Sequence, residues 1–422
     1  DCARIMREIY YENDSIKKLK IEAAYSMVKS KKFHWDSVAK KNIDFVNSLK
    51  NDHLNNISRI GWVTTWNTRC GIASYSENLI NQIDDYIVVL APRDEKKLTY
   101  DTDFVRRCWS LSESNLDSLY DQIVSENLTS IVFQFNYGFY NFNNFSNIIE
   151  KLLDKDINVI IFLHSTIDPS GVWAKQLKNI SGILSKATRL LVHTPADMNR
   201  LKKIGLVNNV SLFPHGVLDY TPQEIFRNKN NSFSFVSRRN IHLSTFGFCL
   251  PNKGFIELIK SIPILIEKGY VVKLDLLTSI YSEQYKWFYS ELKMLVSRLD
   301  LEKYVNINSN YLSNKESLSI LSSTDLIVYP YQITNESSSA AVRHGLASGT
   351  PVAVTPLNIF DDVSEVVHYL PGIKPLDIAN GVINWSENRD SFSFNKEEWL
   401  EQHRFSTLGL RLKSMIKSLE IN

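Results

Sequence analysis

Residues Thr324 to Val363 limit what this chain can fold into more than any other stretch. Asp325 to Tyr329 is a short apolar, β-branched run, the pattern of a parallel strand buried on both faces. A polar loop follows, Gln332 to Asn335, with Glu336 where a helix would begin. Ser337 to Ala347 carries apolar residues at helical spacing and stops at Ser348-Gly349. Pro351 to Thr355 is a second buried-strand run, so the stretch reads as a βαβ unit.

Its first helical turns hold Ser337, Ser338, Ser339, Ala340 and Ala341. Two readings of these small residues stand side by side. They let a ligand approach the backbone, where free N–H groups and the helix dipole favour negative charge. They also suit a tight contact between helix and sheet. The segment ESSSAAVRHGLASG, Glu336 to Gly349, followed by TPVAVT, resembles the donor-site helix of retaining GT-B glycosyltransferases of the large family four. The resemblance implies that Glu336 touches the donor sugar. A second Glu, eight positions on, usually holds the nucleotide ribose in that family; this chain has His344 there.

The 422 residues suit two α/β domains better than one, and 44% hydrophobic content is ample for two cores. A net charge of +2 gives no case for nucleic acid as a partner. Cys2, Cys70, Cys108 and Cys249 have neither metal nor disulfide spacing, which points to a reducing cytoplasm. No run approaches the length of a membrane span.

Residues 1–57 read as a Lys-rich helical extension without a strand run. Phe33 to Ala39, followed by Ile43, Phe45 and Val46, resembles the final helix of a family-four enzyme, so the extension is expected to be the end of an upstream transferase module. The alternative is an extension that packs on the catalytic body. Residues 58–218 are expected to form a first Rossmann-like, acceptor-side domain, 219–231 a linker, 232–400 the nucleotide-sugar domain and 401–422 a C-terminal helix.

In the first domain, Ser58 to Thr65 is a strand, Trp66 to Gly71 a turn and Ile72 to Ile83 an amphipathic helix. That turn falls at the carboxyl edge of the sheet, where α/β proteins bind ligands. Gly71 is a candidate for close ligand approach and Arg69 for an anion contact. His164 ends an apolar strand where members of the resembled family often carry an active-site His. Asp101-Thr-Asp103 could hold Mg²⁺ or Mn²⁺, but it follows a polar run rather than a strand and reads as surface loop.

In the second domain, Lys253-Gly254 matches the family's Lys-Gly, whose Lys binds the donor diphosphate. An ammonium beside a helix N-terminus would neutralise the departing nucleotide. The family's usual Arg after Gly247 is Phe248 here, and Arg238 and Arg239 are the candidates to replace its charge. The candidates are therefore His164, Lys253 and Glu336 as catalytic residues. The donor-binding set is Gly71, Arg238, Arg239, Lys253, Glu336, Ser337, Ser338, Ser339 and His344. No metal and no cofactor beyond the nucleotide sugar itself is expected.

The resemblance implies a GT-B fold and transfer, with retention, of a sugar from a nucleotide diphosphate to a glycan or lipid-linked oligosaccharide. The ESSSAAVR variant is similar to polysaccharide mannosyltransferases, which makes GDP-mannose the first donor and bacterial O-antigen or capsule synthesis the context. A place on the inner face of the bacterial membrane would follow. Two rival functions remain at this level: a GT-B nucleotide-sugar epimerase, and a non-catalytic glycan-binding or scaffold module of a polymerase.

Overall fold

Short β-branched and aromatic runs separated by amphipathic stretches fold as such patterns require, into parallel sheets covered by helices. The computed structural model describes residues 10–29, 37–43, 58–111, 115–220, 239–334, 336–389 and 396–420. It divides into two compact units, Asp1–Ile57 and Ser58–Asn422. In the smaller unit, helix α1 (Asp14–Lys29) buries none of its residues. Phe33, Trp35 and Phe45, on which the resemblance to an upstream module rests, lie outside the described residues.

The larger unit contains both sheets. The first comprises β1 (Arg59–Val63), β2 (Tyr86–Pro92), β3 (Val105–Trp109), β4 (Ser130–Phe135), β5 (Asn158–Leu163), β6 (Arg189–Val192) and β7 (Val210–Leu212). Their order is β3-β2-β1-β4-β5-β6-β7, and the pairings are parallel. The helices α2 (Gly71–Ile80), α3 (Asp117–Ser125), α4 (Phe142–Leu153), α5 (Ser181–Leu184) and α6 (Pro195–Lys203) connect them.

The second sheet comprises β8 (Asn240–Phe248), β9 (Val271–Ser279), β10 (Val305–Asn308), β11 (Leu326–Tyr329), β12 (Val352–Val354) and β13 (His368–Tyr369). Its order, β10-β9-β8-β11-β12-β13, is also parallel. Its helices are α7 (Phe255–Glu267), α8 (Lys286–Arg298), α9 (Asn314–Ser322), α10 (Ala340–Ala347) and α11 (Pro375–Glu387). In each sheet the chain reverses its direction of winding between the first and fourth strands, at β1/β4 and β8/β11. Ligands of such sheets bind in the crevice outside the carboxyl ends of those strands.

Two closing helices, α12 (Lys396–His403) and α13 (Phe405–Leu419), tie the domains together. Phe405, Leu408, Leu412 and Ile416 of α13 join the same core cluster as Ile60, Trp62, Tyr75 and Leu79 of the first domain. The residues expected to form a separate C-terminal helix therefore complete the first domain's core. Phe405 also fills the space at Gly216, where a Cβ would stand 2.4 Å from its ring.

Two details of the expected pattern shift. Helix α10 starts at Ala340 rather than Ser337, because the Ser339 hydroxyl accepts from the Val342 N–H and caps it there. Strand β3 went unread because Arg106 and Arg107 interrupt its apolar run. An edge strand tolerates such charges.

Candidate functional site

The crevice of the second sheet is built from the loops after β8 and β11. Gly254 follows a 3₁₀ turn, Pro251–Lys253, and takes a left-handed φ of 75°. A Cβ at Gly254 would lie 1.7 Å from the Pro330 carbonyl oxygen, so only glycine lets the two loops meet this closely. They are stitched by hydrogen bonds from Gln332 N to Asn252 O (3.0 Å) and from Asn252 Nδ2 to Ile333 O (3.2 Å).

This join sets Lys253 against Glu336. The Lys253 ammonium donates to Glu336 Oε2 at 3.2 Å and stands 4.1 Å from the centre of the Tyr331 ring. Burial opposes the lysine's charge, but Tyr331 and Glu336 outweigh it and raise its pKa. Its side chain is 9% exposed, whereas that of Glu336 is 57% exposed and open to a ligand.

The three serines after Glu336 are committed to partners. Ser337 Oγ donates to Asp197 Oδ1 of the first domain at 2.6 Å. Ser338 Oγ donates to Asp362 Oδ2 at 2.7 Å, and Ser339 lies 3.2 Å from the Tyr331 hydroxyl besides capping α10. Their hydroxyls thus hold the loop and leave the backbone as the face available to a ligand.

His344 is buried at 8% exposure. Its Nε2 meets Ser317 Oγ at 2.8 Å, and its ring stacks on Phe246 with centroids 4.2 Å apart. Burial lowers its pKa to about 4, so the imidazole is neutral near pH 7. In this arrangement Nε2 is spoken for inside the domain.

Arg239 does not join the group. It precedes β8, at the amino end of the sheet, where its carbonyl accepts from Val271 N and its guanidinium lies beside Gly269. Nine residues of strand, roughly 30 Å, separate it from the carboxyl edge, too far for its side chain to replace a charge at Phe248. Arg238 lies outside the described residues. At Phe248 the structure instead sets an aromatic pair with Tyr281, centroids 5.1 Å apart.

From the first domain, Gly71 opens α2 with no atom within 4 Å of where its Cβ would stand, which leaves room for close approach. Arg69 is exposed and reaches across to the second domain, 5.4 Å from the centre of the Tyr311 ring. His164 is more enclosed. Its Nε2 is 2.7 Å from the Gln134 side-chain amide and its Nδ1 3.0 Å from His193 Nε2, while His193 Nδ1 is 3.0 Å from Phe213 O.

One direction of donation satisfies this chain. His193 Nδ1–H must donate to the carbonyl, so His193 Nε2 accepts from His164 Nδ1–H and His164 Nε2 is an acceptor. The Gln134 amide therefore turns its NH₂ toward His164. With its oxygen there, that NH₂ is buried without a partner. Burial, then the neighbouring His193, holds the His164 pKa well below its ordinary value.

Asp101 of the D-x-D triplet accepts two hydrogen bonds from Arg107, at 2.9 and 3.1 Å, and one from Asn67 at 3.2 Å. These contacts hold the loop as an ion-paired structural element.

Asp197 and Arg343 carry the seam between the domains and were not singled out from sequence. Asp197 is fully buried in the capping box of α6 and accepts from Thr166, Thr194, Arg200 and, across the seam, Ser337. Burial would raise its pKa, but those donors outweigh it and lower it. Arg343, 2% exposed, donates from Nε to His215 O of the first domain at 3.0 Å and pairs with Asp362. The Thr194-x-x-Asp197 spacing marks the cap in sequence; its partner 140 residues on is not marked.

The pair of facing parallel sheets with a returning C-terminal helix is the GT-B fold, and solved structures of that fold are similar to this chain. A glycosyltransferase from Rickettsia africae superposes with a TM-score of 0.63 at 12% identity, over 87% of this chain and 100% of that one. HepE of Anabaena, solved with UDP and glucose, gives 0.64 at 13% identity, over 86% and 100%. Sucrose-phosphate synthase from Thermosynechococcus elongatus gives 0.63 at 11% identity, over 86% and 99%. No family model matches the sequence, and no curated protein matches it.

Proposed function

We propose that the chain is a retaining glycosyltransferase that takes its sugar from a nucleotide diphosphate. The observation that carries this reading is the Lys253–Glu336 pair at the switch point of the second sheet. A buried ammonium suits the diphosphate, whose negative charge grows as the glycosyl bond breaks. The exposed carboxylate beside it suits the hydroxyls of the sugar. Arg69 and the open α2 start at Gly71 would close on the phosphates from the first domain, offsetting the missing charge at Phe248. The UDP and glucose bound to HepE support a nucleotide-sugar donor for this fold.

The finer reading keeps mannose from GDP-mannose as donor and a glycan or lipid-linked oligosaccharide as acceptor, in surface polysaccharide synthesis. It includes metal-independent transfer, with the leaving phosphate assisting deprotonation of the acceptor on the same face. No helix among the described residues is long and apolar enough to cross a membrane.

A thermal-shift screen of UDP-, GDP-, ADP- and CMP-sugars tests the reading, because a ligand that binds only the folded chain at a hundred times its Kd adds about 2.7 kcal/mol of apparent stability. A rise with one nucleotide family, with no divalent cation present, is expected. No rise with any of them would count against it. Buried His344 at the usual ribose-binding position favours a second reading, a module that grips glycan without transfer. Transfer to acceptor by the isolated chain would exclude that second reading.

A further inference from the structure

The acceptor can be read further at the carboxyl edge of the first sheet, where two large aromatic side chains are held out into solvent on clamped backbone. Trp173 is 78% exposed in the segment after β5 and His164. Its carbonyl accepts from Asn179 Nδ2 at 2.7 Å. Two residues on, the Lys175 ammonium donates to Tyr137 O at 2.8 Å and also to Tyr140 O. Asp168, earlier in the segment, accepts from the Tyr137 hydroxyl at 2.9 Å and from Leu177 N at 3.0 Å.

Tyr100, 96% exposed, sits in the connection after β2. Both of its chain neighbours are held by the loop after β1. Asn67 bonds Thr99 through its N–H (3.1 Å) and carbonyl (2.8 Å), and Asp101 through its carboxylate (3.2 Å). Arg107 fixes Asp101 from the other side.

An exposed aromatic ring gains nothing from its own fold, yet here each stands on backbone that several side chains immobilise. Such a ring is a rigid contact surface that loses little entropy when a partner packs on it. Strands β2 and β5 stand three strand spacings apart, about 14 Å, with the β1/β4 switch point between them. The gap is spanned by the β1 loop and the β4 loop, whose Tyr137 and Phe139 are half-buried against the core. Single exposed rings set apart from one another, with the intervening aromatic side chains half-buried, fit a chain of sugar rings, each with one apolar face, better than a continuous lipid surface.

We infer that the acceptor is an oligosaccharide several residues long, lying along the carboxyl edge of the first sheet with sugar rings stacked on Trp173 and Tyr100. The inference rests on the transferase reading, since it assigns the acceptor of that same crevice. Thr166, just after His164, shares Asp197 with Ser337, which brings the Trp173 segment to the edge of the donor loop.

The test is calorimetry of the full chain with gluco-, galacto- and manno-oligosaccharides of one to six units. Affinity for one of these series should grow with length. Trp173→Ala and Tyr100→Ala should each weaken the longest oligomer about three- to tenfold, with Trp173→Phe retaining most of the binding. Neither variant should change affinity for a monosaccharide or for free nucleoside diphosphate. Absence of binding across the panel, binding independent of length, or unchanged affinity in both alanine variants would overturn the inference. Release of the chain from phosphatidylglycerol vesicles by Trp173→Ala, with oligosaccharide binding intact, would overturn it in favour of a membrane contact. Failure of the transferase reading would show separately, as oligosaccharide binding by a chain that takes up no nucleoside diphosphate.

Discussion

At the carboxyl edge of the second sheet, Lys253 and Glu336 stand 3.2 Å apart with the carboxylate open to solvent. At the same edge of the first sheet, His164 has both ring nitrogens engaged, by Gln134 and His193, and Trp173 and Tyr100 stand exposed, as does Arg69. The first six strands of each sheet follow one order, yet one edge offers a buried ammonium paired with an open carboxylate and the other offers exposed rings with the guanidinium of Arg69. The topology sets the edge at which such sheets bind ligands, and the loop residues set the chemistry that each edge presents.

The contrast is sharpest at two glycines. Gly254→Ala puts a methyl group into the Pro330 carbonyl at a left-handed φ, and should cost about 3 kcal/mol or more in urea unfolding. Gly71→Ala adds a methyl to open space, with an expected stability change within about 0.5 kcal/mol. It should nevertheless weaken nucleotide binding if ligand occupies that space. Equal stability losses in the two variants would erase the distinction between a structural and a ligand-facing glycine.

His344 tests the charged edge through pH. Its folded pKa, about 4, lies below the ordinary value of 6.5, so between these values the unfolded chain binds a proton that the folded chain refuses. Its contribution to stability is present above about pH 6.5 and lost as pH falls toward 4, amounting to about 3 kcal/mol. Urea unfolding at about pH 7 and pH 4 should show a smaller acid loss for His344→Gln than for the unaltered chain. Identical losses would mean that His344 is not held neutral by burial.

Much of this was legible in the sequence. The βαβ pattern of Thr324 to Val363 and the tight turn at Lys253-Gly254 are both present at the carboxyl edge of the second sheet, because buried strands and tight turns are written in local composition. Arg239 misled because proximity along the chain to Phe248 is separation along a strand. Asp197 and Arg343 went unread because an Asp in a capping box and an Arg in a helix ordinarily face water. Their burial depends on a seam made by residues more than a hundred positions away.

That seam supplies a smaller test. Ser337→Ala removes one of the donors to Asp197 and leaves the others, so the expected loss is about 1 kcal/mol in thermal or urea unfolding. No loss would indicate that the two edges meet without this bond.

Calorimetry of Lys253→Ala and Glu336→Gln with bare nucleoside diphosphate and with intact nucleotide sugar tests the division of labour at the donor edge. Lys253 should hold the diphosphate, so Lys253→Ala is expected to bind both ligands about tenfold or more weakly. Glu336 should hold the sugar, so Glu336→Gln is expected to bind the bare diphosphate almost normally and to lose affinity only for the intact donor. If Glu336→Gln weakens the bare diphosphate as much as Lys253→Ala does, or if both variants bind both ligands as the unaltered chain does, the Lys253–Glu336 pair is not the donor site.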